Sequence, residues 1–272
     1  MQTFSASPVE IFRSLFNNYG LIVNLIQREI QGRYKGSVVG ILWSLIHPVF
    51  MLAIYTFVFS VVFKARWNNG NESRAEFALV LFAGLMVFNF FAECLNRAPS
   101  LIINNVNYVK KVVFPLEILA FVAIGSALFH FAISLVVWII AYIVFYGVPQ
   151  TSILLLPFVL IPLMFFTTGV VWIFSALGVF LRDIAQLIGM VTTVLMFLSP
   201  IFYPISALPE KYRFYLQLNP ITPSIEFLRD ILYWGVVPNP IALLILFIIS
   251  LFFSWVGFLL FQKTRKGFAD VL

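Results

Sequence analysis

The sequence is poor in charge, cysteine and histidine, and it lacks a phosphate-binding loop. Only 10% of its 272 residues are Asp, Glu, Lys or Arg, where a soluble domain has about 25%. With 62% hydrophobic residues beside that shortage, an ordinary water-soluble fold is excluded. The single cysteine, Cys94, excludes an intrachain disulfide. The two histidines, His47 and His130, stand far apart, without Cys or Asp at ligand spacing, so no metal site is expected. No G-x-x-x-x-G-K-[ST] motif and no Gly-Lys pair occurs, so ATP hydrolysis by this polypeptide alone is not expected. Residues 1–20 lack the basic start, apolar run and cleavage site of a signal peptide, and the first span is expected to act as an uncleaved insertion signal.

What is abundant is apolar surface, including 32 Phe. Such a composition points to an all-α integral membrane protein, because a backbone in lipid must satisfy its own hydrogen bonds. Six stretches are long and apolar enough to span: 40–63, 77–96, 115–146, 153–181, 184–202 and 240–261. Six is even, so both termini share one side. With the N-terminus cytoplasmic, eleven basic residues, counting Arg97, fall inside and six outside, which accounts for all 17. The positive-inside rule then places both termini in the cytoplasm.

Two segments do not span. Residues 1–36 form the first, an amphipathic interface region. Ser7-Pro8-Val9-Glu10 is a helix start, Ile11, Phe12, Leu15 and Phe16 share a face, and the pattern resumes after Tyr19-Gly20 with Ile22, Leu25, Ile26 and Ile30. Such a helix lies in the membrane interface; a solvated helix on a neighbouring domain is the alternative. The second segment, about 203–236, lies in a stretch from Ser199 to Pro240 that holds seven of the fourteen prolines. Proline breaks a helix interior, so two short helices dipping into the outer leaflet and returning are expected; an ordinary external loop is the alternative.

Charge inside the spans is scarce. Glu93 and Arg97, four apart, are expected to pair. Glu117 starts the third span, Arg182-Asp183 fills the turn between spans four and five, and His47 beside Pro48 is expected to serve a freed carbonyl. No relay crosses the bilayer centre, so driving energy is expected from outside the chain. Two inner elements offer contacts: Arg28, Glu29, Arg33, Tyr34 and Lys35 before the first span, and Asn104, Asn105, Asn107, Lys110 and Lys111 within residues 97–112. Gly32, Gly36 and Gly40, spaced by four, would let another helix approach. Charge alone leaves two readings open, a docking surface or anchorage on anionic lipid headgroups.

The stretch "REIQGRYKGSVVGILWSLIHPVF" (residues 28–50) resembles the start of the membrane subunit of ABC-2 type polysaccharide exporters. Arg28-Glu29, Arg33-Tyr34-Lys35, Ser37, Gly40, Trp43 and Pro48 carry the resemblance. "NYVKKVVFPLEIL" (107–119), "FLRDIAQ" (180–186), "SPIFYP" (199–204) and "NPITP" (219–223) follow collinearly. The resemblance implies residues 37–272 as an ABC-2 permease domain in a homodimer, with two separate ATPase subunits that carry ATP and Mg²⁺. This chain itself would hold no cofactor and contact no nucleic acid. It further implies a coupling helix at about 97–112, two outer gate helices and a lipid-linked polysaccharide as cargo. O-antigen across a bacterial inner membrane comes first, with capsular polysaccharide or teichoic acid as the alternative.

Aromatic rings suit such a cargo, because they stack on sugar faces without fixing a register. Tyr203, Tyr212, Phe214, Tyr215, Tyr233 and Trp234 are the outer candidates, and Trp43, Trp172 and Phe197 the candidates along the spans; interfacial anchoring is the alternative. An ion-coupled transporter would require an essential carboxylate in the spans. A membrane enzyme would require convergent acids, which Asp183, Glu210, Glu226 and Asp230 do not supply.

Overall fold

The structure, a computed structural model, describes residues 7–62, 67, 74–110 and 114–272. Every regular element among the described residues is a helix. Two helices open the chain, α1 (Pro8–Asn17) and α2 (Tyr19–Tyr34). A 3-10 turn, Gly40–Leu42, leads into α3 (Trp43–Tyr55), which continues as a π-helical run over Thr56–Val62. α4 (Arg74–Arg97) is followed by two 3-10 turns and the short α5 (Val106–Lys110). Then come α6 (Ile118–Tyr146), α7 (Leu156–Phe180) and α8 (Ile184–Leu198). Two short helices follow, α9 (Glu210–Gln217) and α10 (Thr222–Arg229), the second extended by a π turn over Asp230–Trp234. α11 (Pro240–Thr264) and α12 (Phe268–Val271) close the chain.

Among the described residues, five helical stretches are long and apolar enough to cross a bilayer: Gly40–Phe59, Ala75–Ser100, Ile118–Tyr146, Thr151–Phe180 and Pro240–Val271. The stretch expected at 184–202 is shorter, because α8 has 15 residues and stops at Leu198. At 1.5 Å per residue it reaches about 22 Å, less than the roughly 30 Å hydrocarbon core. Pro200 explains the stop: proline disfavours helical backbone in the residue before it, and Ser199 is extended, with ψ at 147°. The helix expected from 115 begins instead at Ile118, after a turn in which the Ile118 N–H reaches the Pro115 carbonyl at 3.0 Å. Phe63, the expected end of the first span, lies outside the described residues.

α4 is the hub. Of its spanning window 89% is buried, against 6% for the first span and 22% for α6. α3, α6, α7, α8 and α10 pack around it. Elsewhere small residues set the closest approach. α7 and α11 meet where a Cβ at Gly257 would strike the Gly169 backbone, and one at Gly169 the backbone at Phe253 and Ser254. A Cβ at Gly178 would strike the Pro99 carbonyl, so the turn after α4 lies directly on α7. Two buried indoles tie helices together: Trp138 Nε1 donates to the Leu79 carbonyl at 2.9 Å, and Trp172 Nε1 to that of Glu117 at 3.0 Å.

The N-terminal helices pack part of their surface on the bundle. α1 buries Ile11 and Ser14, while Phe16 is exposed. The Ser14 hydroxyl donates to the Glu117 carboxylate at 3.2 Å, which turns that face inward. α2 buries Ile22 and Leu25, and Ile26 fits the space left by Gly125 on α6. Gly32, Gly36 and Gly40 do not form a helix-packing stripe. Gly36 and Gly40 have φ of 87° and 58°, conformations that glycine adopts without penalty, and a Cβ at any of the three would meet nothing within 4 Å. Their freedom serves the turn between α2 and α3.

At the far end of α4, Arg229 is 2% exposed and clamps three segments. Its Nε donates to the Val80 carbonyl at 3.0 Å, Nη1 to that of Pro200 at 2.5 Å, and Nη2 to that of Ile201 at 2.8 Å. Glu226 lies 3.1 Å from Nη1, and the Trp67 ring 4.3 Å from the guanidinium. Arg229→Leu should therefore destabilise the protein by about 3 kcal/mol or more, since three buried carbonyls lose their donor at about 1–3 kcal/mol each. The thermal unfolding midpoint of the detergent-solubilised chain measures this; an unchanged midpoint would contradict the clamp.

Candidate functional site

The charged residues before the first span meet the C-terminal end of α4 and the first half of α6. α2 presents Glu29 and Arg33 one helical turn apart, so both face the same neighbour. Glu29 pairs with Arg97 at 2.5 Å, and Arg33 with Glu93 at 2.6 Å. Arg97 also lies 3.7 Å from Glu93 across one turn of α4, its longer contact. His130 of α6 completes the group. Its Nδ1 is 3.0 Å from Glu93, and its Nε2 is 3.1 Å from the Tyr34 hydroxyl. These bonds are mutually consistent when Nδ1 carries the proton and Nε2 accepts from Tyr34. Burial raises the Tyr34 phenol above its ordinary value, so it remains a donor at neutral pH.

A cavity of about 630 Å³ opens over this cluster, lined by Trp43, His47, Asn89 and Ser134 as well as the charged groups. His47 does not hydrogen-bond a freed carbonyl among the described residues; it lines this cavity instead. A second cavity, about 330 Å³, is lined by Arg28, Glu29, Arg97, Asn104, Asn105 and Tyr108 among others. Arg28 spans its rim and donates to the Tyr108 hydroxyl at 2.8 Å, while the Tyr108 ring stacks on Phe114 at 4.2 Å. Asn105 donates to the Leu101 carbonyl at 2.8 Å and so stabilises the turn. Lys35, Asn104, Asn107 and Lys110 are exposed, and Lys111 lies outside the described residues.

A third group of contacts secures the same end. Glu117 accepts from Arg265 at 2.7 Å as well as from Ser14, and Arg265 also donates to the Phe114 carbonyl at 2.7 Å. α1, the start of α6 and the end of α11 are thereby joined.

The aromatic candidates separate into three kinds. Trp172 faces no passage: it is fully buried, because its indole is committed to the Glu117 carbonyl. Tyr233 and Trp234 are half-buried in a cluster in which Tyr233 packs against Tyr146 at 5.7 Å and Trp234 at 4.8 Å. Tyr203 donates to the Phe197 carbonyl at 2.9 Å. Tyr212, Phe214 and Tyr215 on α9, Phe197 on α8 and Trp43 on α3 are exposed.

Residues 20–233 match the ABC-2 type transporter family. The chain belongs to that family. Among curated proteins, this ABC-2 member is similar to the O-antigen export system permease protein RfbA of Klebsiella pneumoniae, with 30% identity over 93% of this chain and 95% of that protein. It is also similar to the permease of the same name from Myxococcus xanthus, with 26% identity over 96% of this chain and 99% of the relative. The polysialic acid transport protein KpsM of Escherichia coli is 24% identical over 89% of this chain and 93% of its own. The ABC-2 chain is thus a multi-pass, all-α membrane protein.

Two residues important to its geometry escape sequence reasoning. His130 is a lone histidine twelve residues into α6, with nothing nearby in sequence to mark it. Arg229 reads as an outer-loop charge in a proline-rich stretch. The available signal for both was the rule that an ionisable group among apolar neighbours needs a partner. For the Glu29–Arg97 pair, each single change, Glu29→Arg or Arg97→Glu, should destabilise the protein, and the double swap should recover about 1 kcal/mol. A thermal double-mutant cycle with no recovery would show that the pair carries no coupling.

Proposed function

We propose that this ABC-2 permease forms the membrane channel of an ATP-driven exporter that moves a lipid-linked polysaccharide, O-antigen first, out of the cytoplasm. The reading is carried by the near end-to-end match to O-antigen export permeases, at 30% identity over 256 residues. ATP and Mg²⁺ belong in this reading to a separate subunit, two copies of which dock on the inner face of a homodimer. The sequence has no phosphate-binding loop of its own to hold them. The match to the polysialic acid transport protein, at 24% identity, supports capsular polysaccharide as the second reading.

The architecture suits this role. In this proposal both termini are cytoplasmic, α2 is the interface helix and residues 97–112 form the coupling element. The exposed side chains of Lys35, Asn104, Asn107 and Lys110 contact the ATPase, and Lys111 is proposed to join them. A push on α2 reaches α4 through two guanidinium–carboxylate pairs and α6 through His130. The short α8 acts as the fifth of six spans, its outer end completed by the 199–204 loop that Arg229 holds. α9 and α10 act as outer gate helices. Tyr212, Phe214 and Tyr215 offer exposed rings to a sliding glycan, and the lightly buried first span is the natural face for the second copy.

Two outcomes test this. Deleting the chain from its native locus should leave lipid-linked polymer inside the cell and strip it from the surface; unchanged surface polymer would sink the assignment. Arg33→Glu places like charge against Glu93, and it should leave ATP hydrolysis by the assembled complex while export falls. Export at the parental rate would remove Arg33 from the coupling route.

A further inference from the structure

The cavity bounded by α3, α4 and α6 carries polar groups that the helix packing does not use. His47 and Asn89 lie on apolar helices, both are exposed, and neither hydrogen-bonds another described residue. In lipid such groups would be costly, so they belong where water or a ligand reaches them. Trp43, 48% exposed, lines the same space. At about 630 Å³ the volume lies within the roughly 300–1,000 Å³ of small-molecule sites.

The charges around the cavity decide what it would take. Arg33 is matched by Glu93 at 2.6 Å, and Arg97 by Glu29 at 2.5 Å. An anion would therefore have to displace a carboxylate to gain a guanidinium, and it would still face Glu93. A neutral hydroxyl-bearing ligand meets no such obstacle. The Asn89 amide both donates and accepts, and the His47 ring can do the same, as sugar hydroxyls require. The Trp43 ring offers an apolar face to the C–H side of a pyranose.

We propose that this cavity is a binding pocket for one or two neutral sugar units of the exported glycan, an assignment that rests on the exporter reading. The pocket sits directly on the Arg33–Glu93–His130 cluster, so occupancy by cargo is felt where α2 grips α4 and α6.

Photo-crosslinking in cells that express the complete export locus tests it. p-Benzoylphenylalanine in place of His47 or Asn89 should give glycan-bearing, high-mass adducts of this chain on irradiation. The same probe at Ile248, an exposed position on α11, should give none. Intact export with no adduct at 47 and 89, or equal adducts at all three sites, would overturn the pocket while leaving the exporter reading standing. Surface polymer that is unaffected by deleting the chain would instead overturn that reading. If the bulky probe stops export, His47→Ala and Asn89→Ala replace it. Each removes about one hydrogen bond and should slow export about 2- to 10-fold at an unchanged membrane level; parental rates in both would overturn the pocket. Asn89→Asp keeps an acceptor for hydroxyls and should export at a rate near the parent's. Failure of Asn89→Asp beside normal export by Asn89→Ala would mark an anionic ligand and overturn the neutral-sugar assignment.

Discussion

Buried charge has to be paired across elements in this chain, and the rest of the architecture depends on that constraint. With so few ionisable residues and so much apolar helix, a guanidinium or carboxylate away from water survives only where another segment brings its partner. Glu93 is met from α2 and from α6. Glu117 is met from α1 and from the end of α11. Arg229 is met by carbonyls of α4 and of the loop after α8. In each case the partners are distant in sequence. The apolar packing sets which helices are neighbours, and the polar contacts select their register and bind the non-spanning segments to them.

The packing itself follows from side-chain size. Among the described residues α4 is the only spanning helix buried nearly throughout, so it is the element that everything else must fit. Glycines make the tightest crossings, between α7 and α11 and between α7 and the turn after α4. The faces left over, on α3, α8 and α11, carry exposed large apolar residues such as Phe50, Val194 and Ile248. In a membrane these need lipid or protein against them, which is where the proposed second copy belongs.

Much of this was legible in the residues, and what was not has a common cause. Long apolar runs marked the spanning helices, because length and composition alone decide them. The proline-rich stretch after α8 holds short helices, α9 and α10, where proline interrupts longer ones. Pro200 was equally local, yet its consequence, an α8 that stops at Leu198, was underweighted against the apolar residues beyond. The glycine spacing at 32, 36 and 40 looked like a packing stripe; only backbone torsions separate such a stripe from a flexible turn. His130 and Arg229 were opaque because a partner's position is a tertiary fact. At α1 the structure adds a contact of the same tertiary kind, Ser14 reaching Glu117, beside a buried Ile11 and exposed Phe12 and Phe16.

The two ends of the helix bundle hold their charges in different ways, and the difference bears on mechanism. Arg229 is 2% exposed and gives its hydrogen bonds mainly to backbone carbonyls. Carbonyls cannot change charge or swing away, and removing the guanidinium strands them, so that end resists rearrangement. The cluster at the other end is made of side chains, and the Arg33 side chain is 47% exposed. Water can stand in for the Arg33 bond at modest cost, because an ion pair with a half-exposed partner contributes only about 0–1 kcal/mol. In the proposed exporter the end that receives the ATPase is therefore the end that can exchange partners. Glu93 lies within reach of Arg33, Arg97 and His130 at once, so in the proposed exporter a change of partner there does not require α4 to unfold.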